Sequence, residues 1–238
     1  MGALKSHFVN ATGWPDPQHV STMRDLALIG LRTIRDFPQY YHLYGEKDFS
    51  FNNIKQPNRN PLLYKNMGAD GLKTGHTDAG GYGVVASAIQ GGRRLILAIN
   101  GAEREKQRAV DAETLMGFGF AVFSSPKVFI GHQEVDRVPV WLGVDETVPI
   151  CVEHDVYVTL PRADLDHMKV TLRYASPLKA PLKAGDVIGE ATITVLKQDK
   201  TTPAFKDIKV PLKIMKDVEK VGLWGRLRSS FMYLIKGH

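Results

Sequence analysis

Hydrophobic positions change their spacing several times along the chain, and each change marks a boundary between elements. Residues 1 to 20 show no period, and the Gly and Pro residues of Asn10-Ala11-Thr12-Gly13-Trp14-Pro15-Asp16-Pro17 mark a loop. A helical pattern follows, with Leu26, Ile29, Ile34 and Phe37 on one side and Arg24, Arg32 and Arg35 away from the core. Ser21 or Thr22 can cap this helix, Asp25 stands three residues beyond Thr22 as in a capping box, and Pro38 ends it. Tyr40, Tyr41, Tyr44, Phe49 and Phe51 then alternate with polar residues between Asn-rich turns, which predicts short strands and loops. Next come a strand containing Lys73-Thr74-Gly75, a turn at Asp78-Ala79-Gly80-Gly81, a strand from Tyr82 to Ile89, a Gly91-Gly92 turn and a strand Arg94–Ile99. Gly-bearing turns this short predict an antiparallel meander. From about Glu103 to Leu115 the period is helical again, with Ala109, Ala112, Leu115 and Met116 inward and Gly117 and Gly119 as stops. One helix is expected to cover the sheet.

After Ser124-Ser125-Pro126 the pattern becomes short β-branched runs at Val128–Ile130, Val138–Leu142, Val156–Leu160, Val170–Leu172 and Val187–Val195, as in a small β-sandwich. The tail differs from both. Val221, Trp224, Leu227, Phe231, Leu234 and Ile235 fall on one side of a helix from Lys216 to His238, with Arg226, Ser229, Ser230 and Tyr233 opposite. Such a helix is too short and too charged to cross a bilayer but suits an anionic interface, with Trp224 at headgroup depth and Arg228 snorkelling. The chain is thus read as α+β in three parts: 1–121, 122–215, and the amphipathic, membrane-anchoring segment 216–238 carrying Trp224, Leu227, Phe231, Leu234 and Ile235.

Composition narrows the partners. With 43% hydrophobic residues over 238 positions the chain can build proper cores, and its formal net charge of +6 favours anionic surfaces such as membranes or acidic cell-wall polymers. Nucleic acid is not expected, because no zinc-finger spacing or related signature appears. Cys151 is the single cysteine, which excludes an internal disulfide, and Ile150 and Val152 beside it suggest a small core residue. Met1–Phe8 lacks the basic, apolar and small-residue succession of a secretory signal, so no export instruction is expected in the chain as written. No histidine pair has the spacing of a helical zinc site, and neither metal nor cofactor is expected.

The candidate chemistry lies in Asp70-Gly71-Leu72-Lys73-Thr74-Gly75-His76-Thr77. Lysine supplies a cation for a carboxylate, threonine an adjustable hydroxyl, and glycine lets a substrate backbone approach the strand without meeting a Cβ. A peptide can then add itself to the strand as an extra partner.

Taken with Phe8-Val9-Asn10-Ala11-Thr12-Gly13, Ser21–Ala27, Phe49-Ser50-Phe51-Asn52-Asn53, Asn58-Arg59-Asn60 and Gly117-Phe118-Gly119-Phe120, this stretch gives an order of landmarks that resembles the serine D-alanyl-D-alanine carboxypeptidases, the low-mass penicillin-binding proteins. The resemblance covers essentially the whole chain, later β domain and amphipathic tail included. It implies the C-terminal portion of a β-lactamase/transpeptidase-like domain, followed by the all-β domain. It also implies an enzyme on the periplasmic face of the bacterial inner membrane, which removes the terminal D-alanine of peptidoglycan stem pentapeptides through a serine acyl-enzyme that β-lactams trap. By the same resemblance Lys73 binds the terminal carboxylate, Thr74 hydrogen-bonds it, Gly75 lies where the substrate backbone pairs, and His76 lines the cleft. Arg104 is weighed as a helper to Lys73 and read instead as a solvated helix-start residue.

The family's Ser-x-x-Lys and Ser-x-Asn precede its Lys-Thr-Gly, and this chain begins too late to contain them. Ser124-Ser125-Pro126-Lys127 and Ser50-Phe51-Asn52 share the spelling but not the order or the local structure, and are set aside. The expectation is therefore a fragment without the nucleophile, inactive alone, whose first domain is poorly stable or self-associating. A non-catalytic membrane-associated binding module and a β-lactamase-like hydrolase stand as the alternatives.

Overall fold

A computed structural model describes residues 2–197, 199 and 201–222, so the expected anchor residues Trp224, Leu227, Phe231, Leu234 and Ile235 lie outside the described residues. The chain divides into two compact units, the first ending at Phe123 and the second beginning at Ser124.

The first unit is built on a three-stranded antiparallel sheet of β3 (Ala69–Thr77), β4 (Gly81–Gln90) and β5 (Arg93–Ala102), in that order, leaving β3 at an edge. Before it come helix α1 (Met23–Asp36), the short α2 (Pro38–Tyr41) and a hairpin of β1 (Asp48–Phe51) and β2 (Ile54–Pro57); after it comes α3 (Glu105–Val122). Register pairs Lys73 with Val85, Thr74 with Val84 and His76 with Tyr82. Successive residues of β4 point to opposite faces, so Val84, Ala86 and Ala88 join Leu97 and the α3 residues Ala112, Met116 and Phe120 in one core cluster. Val85 turns the other way, towards α1. A Cβ on Gly30 would stand 3.0 Å from Leu72 Cδ1 and 3.1 Å from Val85 Cγ1, so the bare glycine is what lets α1 lie close against the sheet. Two helices therefore cover the sheet, not one.

Thr22 caps α1 as expected, accepting from the Asp25 N–H at 3.2 Å. The Asp25 side chain, buried, takes the Lys5 N–H at 2.8 Å and the Ser6 hydroxyl at 2.9 Å, tying the opening segment to the helix. Burial pushes this carboxyl up, but those bonds and the Arg24 charge outweigh it and hold it below its usual range.

Three further sequence expectations need correction. Residues Pro38–Gly45 are helical turns, not strand, because Pro38 starts α2 and Tyr41 must turn inward to be buried. Helix α3 runs through Gly117 and Gly119 to Val122. Each interior glycine costs about 0.5–1 kcal/mol. Gly119 nonetheless fits, since a Cβ there would stand 2.8 Å from Leu95 Cδ1, while Arg93 Nη2 donates to the Gly119 and Phe120 carbonyls at 3.1 and 3.2 Å and caps the helix end. Finally, Lys216–Gly222 is extended, not helical. Val218 is buried in the second core, bridged to Leu182, and Lys220 is bridged to Gly143.

Among its described residues the second unit is an all-β arrangement with one 3-10 turn, Arg162–His167. Its six-stranded sheet runs in the order Met168–Tyr174, Val187–Val195, Ile208–Ile214, Thr147–Cys151, Glu134–Trp141, Leu178–Lys179. Val148, Ile150, Ile193, Val195, Leu212 and Ile214 fill its core. Cys151 is buried, and burial pushes its thiol up. In the first unit, Phe37, Tyr40, Leu43, Phe49, Phe51 and Ile54 are each more than half exposed, a concentration of apolar surface within eighteen residues that scattered surface hydrophobics do not produce.

Candidate functional site

The edge strand β3 is pinned at its start by two polar clusters. Asn60, completely buried, donates Nδ2–H to the Gly71 carbonyl at 2.7 Å and accepts the Leu62 N–H on Oδ1 at 3.1 Å, so one side chain both caps the 3-10 turn Pro61–Tyr64 and grips the strand. One residue earlier, Asp70 accepts from Arg94 at 2.7 Å and from the Tyr41 hydroxyl at 2.8 Å, while Arg94 also donates to the buried Ser87 hydroxyl. Burial, with the Asp70 carboxylate beside it, pushes the Tyr41 hydroxyl up to about 12. Tyr41 therefore stays a neutral donor at any ordinary pH.

Beyond these clusters the strand opens on a groove of about 1600 Å³ within the first unit. Lys73, Thr74, Gly75 and His76 all line it, so the four residues singled out in sequence come together along one wall. Lys73 is exposed, its Nζ 2.5 Å from the Thr74 carbonyl, whereas Thr74 is buried. Nothing stands within 4 Å of where a Cβ on Gly75 would be, which leaves the space a second backbone needs. The His76 ring lies against Tyr82 at 3.9 Å between centroids.

One residue of the groove was not singled out in sequence. Arg108, 3% exposed, lies over the Tyr82 ring at 5.8 Å and donates to the Arg59 carbonyl at 3.1 Å and to Glu105 at 2.7 Å. Its Nε is buried without a partner. The signal was available: Arg108, Ala112, Met116 and Phe120 recur every four residues, so this arginine sits on the apolar stripe of α3 and not among its solvated charges. Arg104 is exposed at the N-cap of α3, where its carbonyl accepts the Arg108 N–H.

The motif look-alikes stand in other settings. Ser50 lies on β1, and Asn52 starts the hairpin turn with φ of 50°. Ser125 bonds Thr159 at 2.9 Å, and Lys127 pairs with Asp155 at 2.5 Å, an interaction that with Tyr157 holds the lysine's proton more firmly than usual. A further match in spelling, Ser176-Pro177-Leu178-Lys179, ends on a two-residue strand with Lys179 over the Trp141 ring. None opens a helix, so none offers the activated serine that such a motif requires. Among the described residues no group of three or more His, Cys, Asp or Glu is placed to hold a metal ion.

An edge strand bearing Lys-Thr-Gly, in a sheet with a helix against each face and followed by an all-β unit, is the arrangement that the sequence resemblance implies. Comparison with known proteins agrees: the D-alanyl-D-alanine carboxypeptidase family profile matches residues 1–104, and that of the penicillin-binding protein 5 C-terminal domain matches residues 123–220. The D-alanyl-D-alanine carboxypeptidase DacA of Escherichia coli K12 is 36% identical over 229 residues, 95% of this chain and 55% of the relative. The DacA of Haemophilus influenzae is 35% identical, over 99% of this chain and 59% of its own length. The crystal structure of penicillin binding protein 5 from H. influenzae superposes with a TM-score of 0.78 at 37% identity, covering 92% of this chain and 62% of that one. The chain belongs to the D-alanyl-D-alanine carboxypeptidase family of low-mass penicillin-binding proteins, and it spans somewhat over half the length of these relatives.

Proposed function

We propose that this chain forms the carboxylate-holding wall of a D-alanyl-D-alanine carboxypeptidase of peptidoglycan maturation. In this reading the terminal carboxylate of a stem pentapeptide sits against Lys73 and Thr74, its backbone runs past Gly75, and His76 and Arg108 close the end of the groove. The observation that carries it is the pairing of an exposed lysine on an open edge strand with a buried arginine whose Nε has no partner, both on one groove. A carboxylate is the ligand that satisfies such cations best, since charge-assisted hydrogen bonds are about twice as strong as neutral ones.

The same reading assigns the complete enzyme a serine acyl-enzyme mechanism. The attacking hydroxyl would form the ester as the C-terminal D-alanine leaves, water would then release the shortened peptide, and β-lactams would stop at the ester. In this reading none of the Ser-x-x-Lys spellings among the described residues supplies that hydroxyl, since none opens a helix. The chain alone is thus expected to bind an acyl-D-Ala-D-Ala peptide reversibly in calorimetry while showing no band with fluorescent penicillin after denaturation. A covalent band would overturn the claim that it has no nucleophile, and equal binding of the C-terminal amide would overturn the carboxylate reading.

The site of action proposed is the periplasmic face of the inner membrane, reached through the amphipathic segment that ends the chain. Its support is the sequence pattern of Trp224, Leu227, Phe231, Leu234 and Ile235 with interspersed cations. The chain should float with anionic liposomes, and a W224A/F231A variant should remain in the soluble fraction. Equal flotation of the two would rule the anchor out.

A further inference from the structure

The side chain of Arg94 crosses the sheet of the first unit from one edge to the other. It springs from β5, where Arg94 pairs with Ile89 of β4. Its Nη1 then donates to the Ser87 hydroxyl on β4, to the Asp70 carboxylate on β3 at 2.7 Å and to the Tyr41 hydroxyl of α2 at 3.3 Å, and its Cζ lies over the Tyr41 ring at 5.3 Å. Ser87 and Tyr41 are buried. One cation thus ties three strands to a helix. None of Tyr41, Asp70, Ser87 and Arg94 lines the groove that Lys73, Thr74 and Gly75 line, so the cluster acts on a ligand there only through the strand.

What the cluster holds is a bulge. Ala69 pairs with Ala88 and Gly71 with Ser87, so Asp70 is the extra residue of β3. The fit around it is close: a Cβ on Gly71 would stand 2.7 Å from the Tyr41 hydroxyl, and one on Gly45 3.2 Å from the Asp70 carbonyl oxygen. A bulge sets the register of the residues beyond it, and a slip of one residue turns each side chain to the opposite face. Lys73 stands three residues past Asp70, about 10 Å along the strand. As an edge strand β3 has β4 on one side and no strand on the other, so little else corrects a slip. Asn60 fixes the backbone through the Gly71 carbonyl, whereas Arg94 fixes the bulged side chain itself.

Resting on the reading that Lys73 and Thr74 hold a terminal carboxylate, we infer that Arg94 is a positioning residue for that site. It locks Asp70 in the bulge and so fixes where the Lys73 and Thr74 side chains meet a ligand. A guanidinium suits this task, because its donors lie in a rigid fork that can serve several acceptors at once. With Arg94 27% and Asp70 32% exposed, the ion pair adds little to stability, and its consequence is geometric.

The test is calorimetric titration of the full chain with acetyl-Gly-D-Ala-D-Ala and its C-terminal amide. With Lys73 and Thr74 in place, the acid should bind about 10- to 150-fold more tightly than the amide, the scale of a hydrogen bond to a charged group. In R94A that acid preference should fall roughly tenfold, the loss of one such bond. A merely structural role reads differently: partial unfolding lowers the competent fraction, weakens acid and amide by the same factor and leaves the preference unchanged. Should R94A fail to fold, Y41F removes one hydroxyl from the cluster while keeping the ring, and should lower the preference by roughly two- to tenfold. An unchanged preference in R94A, or in Y41F where R94A does not fold, overturns the positioning role and leaves the terminal-carboxylate reading standing. Equal binding of acid and amide by the wild type, or binding of neither, overturns that reading and the positioning role with it.

Discussion

Replacing Asn60 by alanine will destabilise the first unit more than any other single polar truncation there. Its side chain holds the Gly71 carbonyl at 2.7 Å and the Leu62 N–H at 3.1 Å, and it has no exposure to water that could take over either bond. Each buried polar group left unmet costs about 1–3 kcal/mol, so the loss of both bonds should remove about 2–6 kcal/mol from the unit. Urea unfolding of the full chain followed by amide exchange at β3 and α3 should show this loss. N60D separates the two bonds: the carboxylate still accepts from Leu62 but cannot donate to Gly71. Its loss should remain substantial. If N60A unfolds within about 0.5 kcal/mol of the wild type, the scale of an ordinary surface change, Asn60 does not hold the strand.

The second large effect falls on binding. In K73A the cation at the middle of the wall disappears while the strand, whose core contacts come from Leu72 and Thr74, is kept. A hydrogen bond to a charged group contributes about 1.5–3 kcal/mol, so affinity for an acyl-D-Ala-D-Ala peptide should fall roughly 10- to 150-fold. K73R should recover part of it, since a guanidinium offers the charge with a different reach. The unfolding curve should not move, because Lys73 is exposed. Unchanged affinity in K73A would remove Lys73 from the site and leave Arg108 as the groove's principal cation.

How much of this could be read from residues alone depends on whether the deciding force is local. Thr22 as a cap, the glycine turns of the meander and the position of Lys73-Thr74-Gly75 on a strand follow from local chemistry, and the structure has them where the pattern puts them. Residues 38–45 do not, because aromatic alternation there looks like a strand until Tyr41 is seen reaching Asp70. Nor does the length of α3, whose last turn is capped by Arg93 of a neighbouring strand and lies too close to Leu95 for a Cβ at Gly119. Arg108 was hidden by its type: charge usually means solvent, and only its place in the four-residue repeat marks it as inward. Lys216–Gly222 continues the amphipathic pattern of the tail, yet the demand of one buried valine in the β core outweighs that pattern.

The two hydrophobic clusters, one around Met116 and one around Ile150, have no residue in common. Cooperativity is a property of a shared core, so each cluster is expected to unfold with a midpoint of its own, which calorimetry of the chain would resolve as two transitions. A melting temperature taken from one overall signal would mix them and would blur the loss at Asn60. A reporter placed between residues 60 and 108 would follow the first unit alone, free of the signal from the β unit.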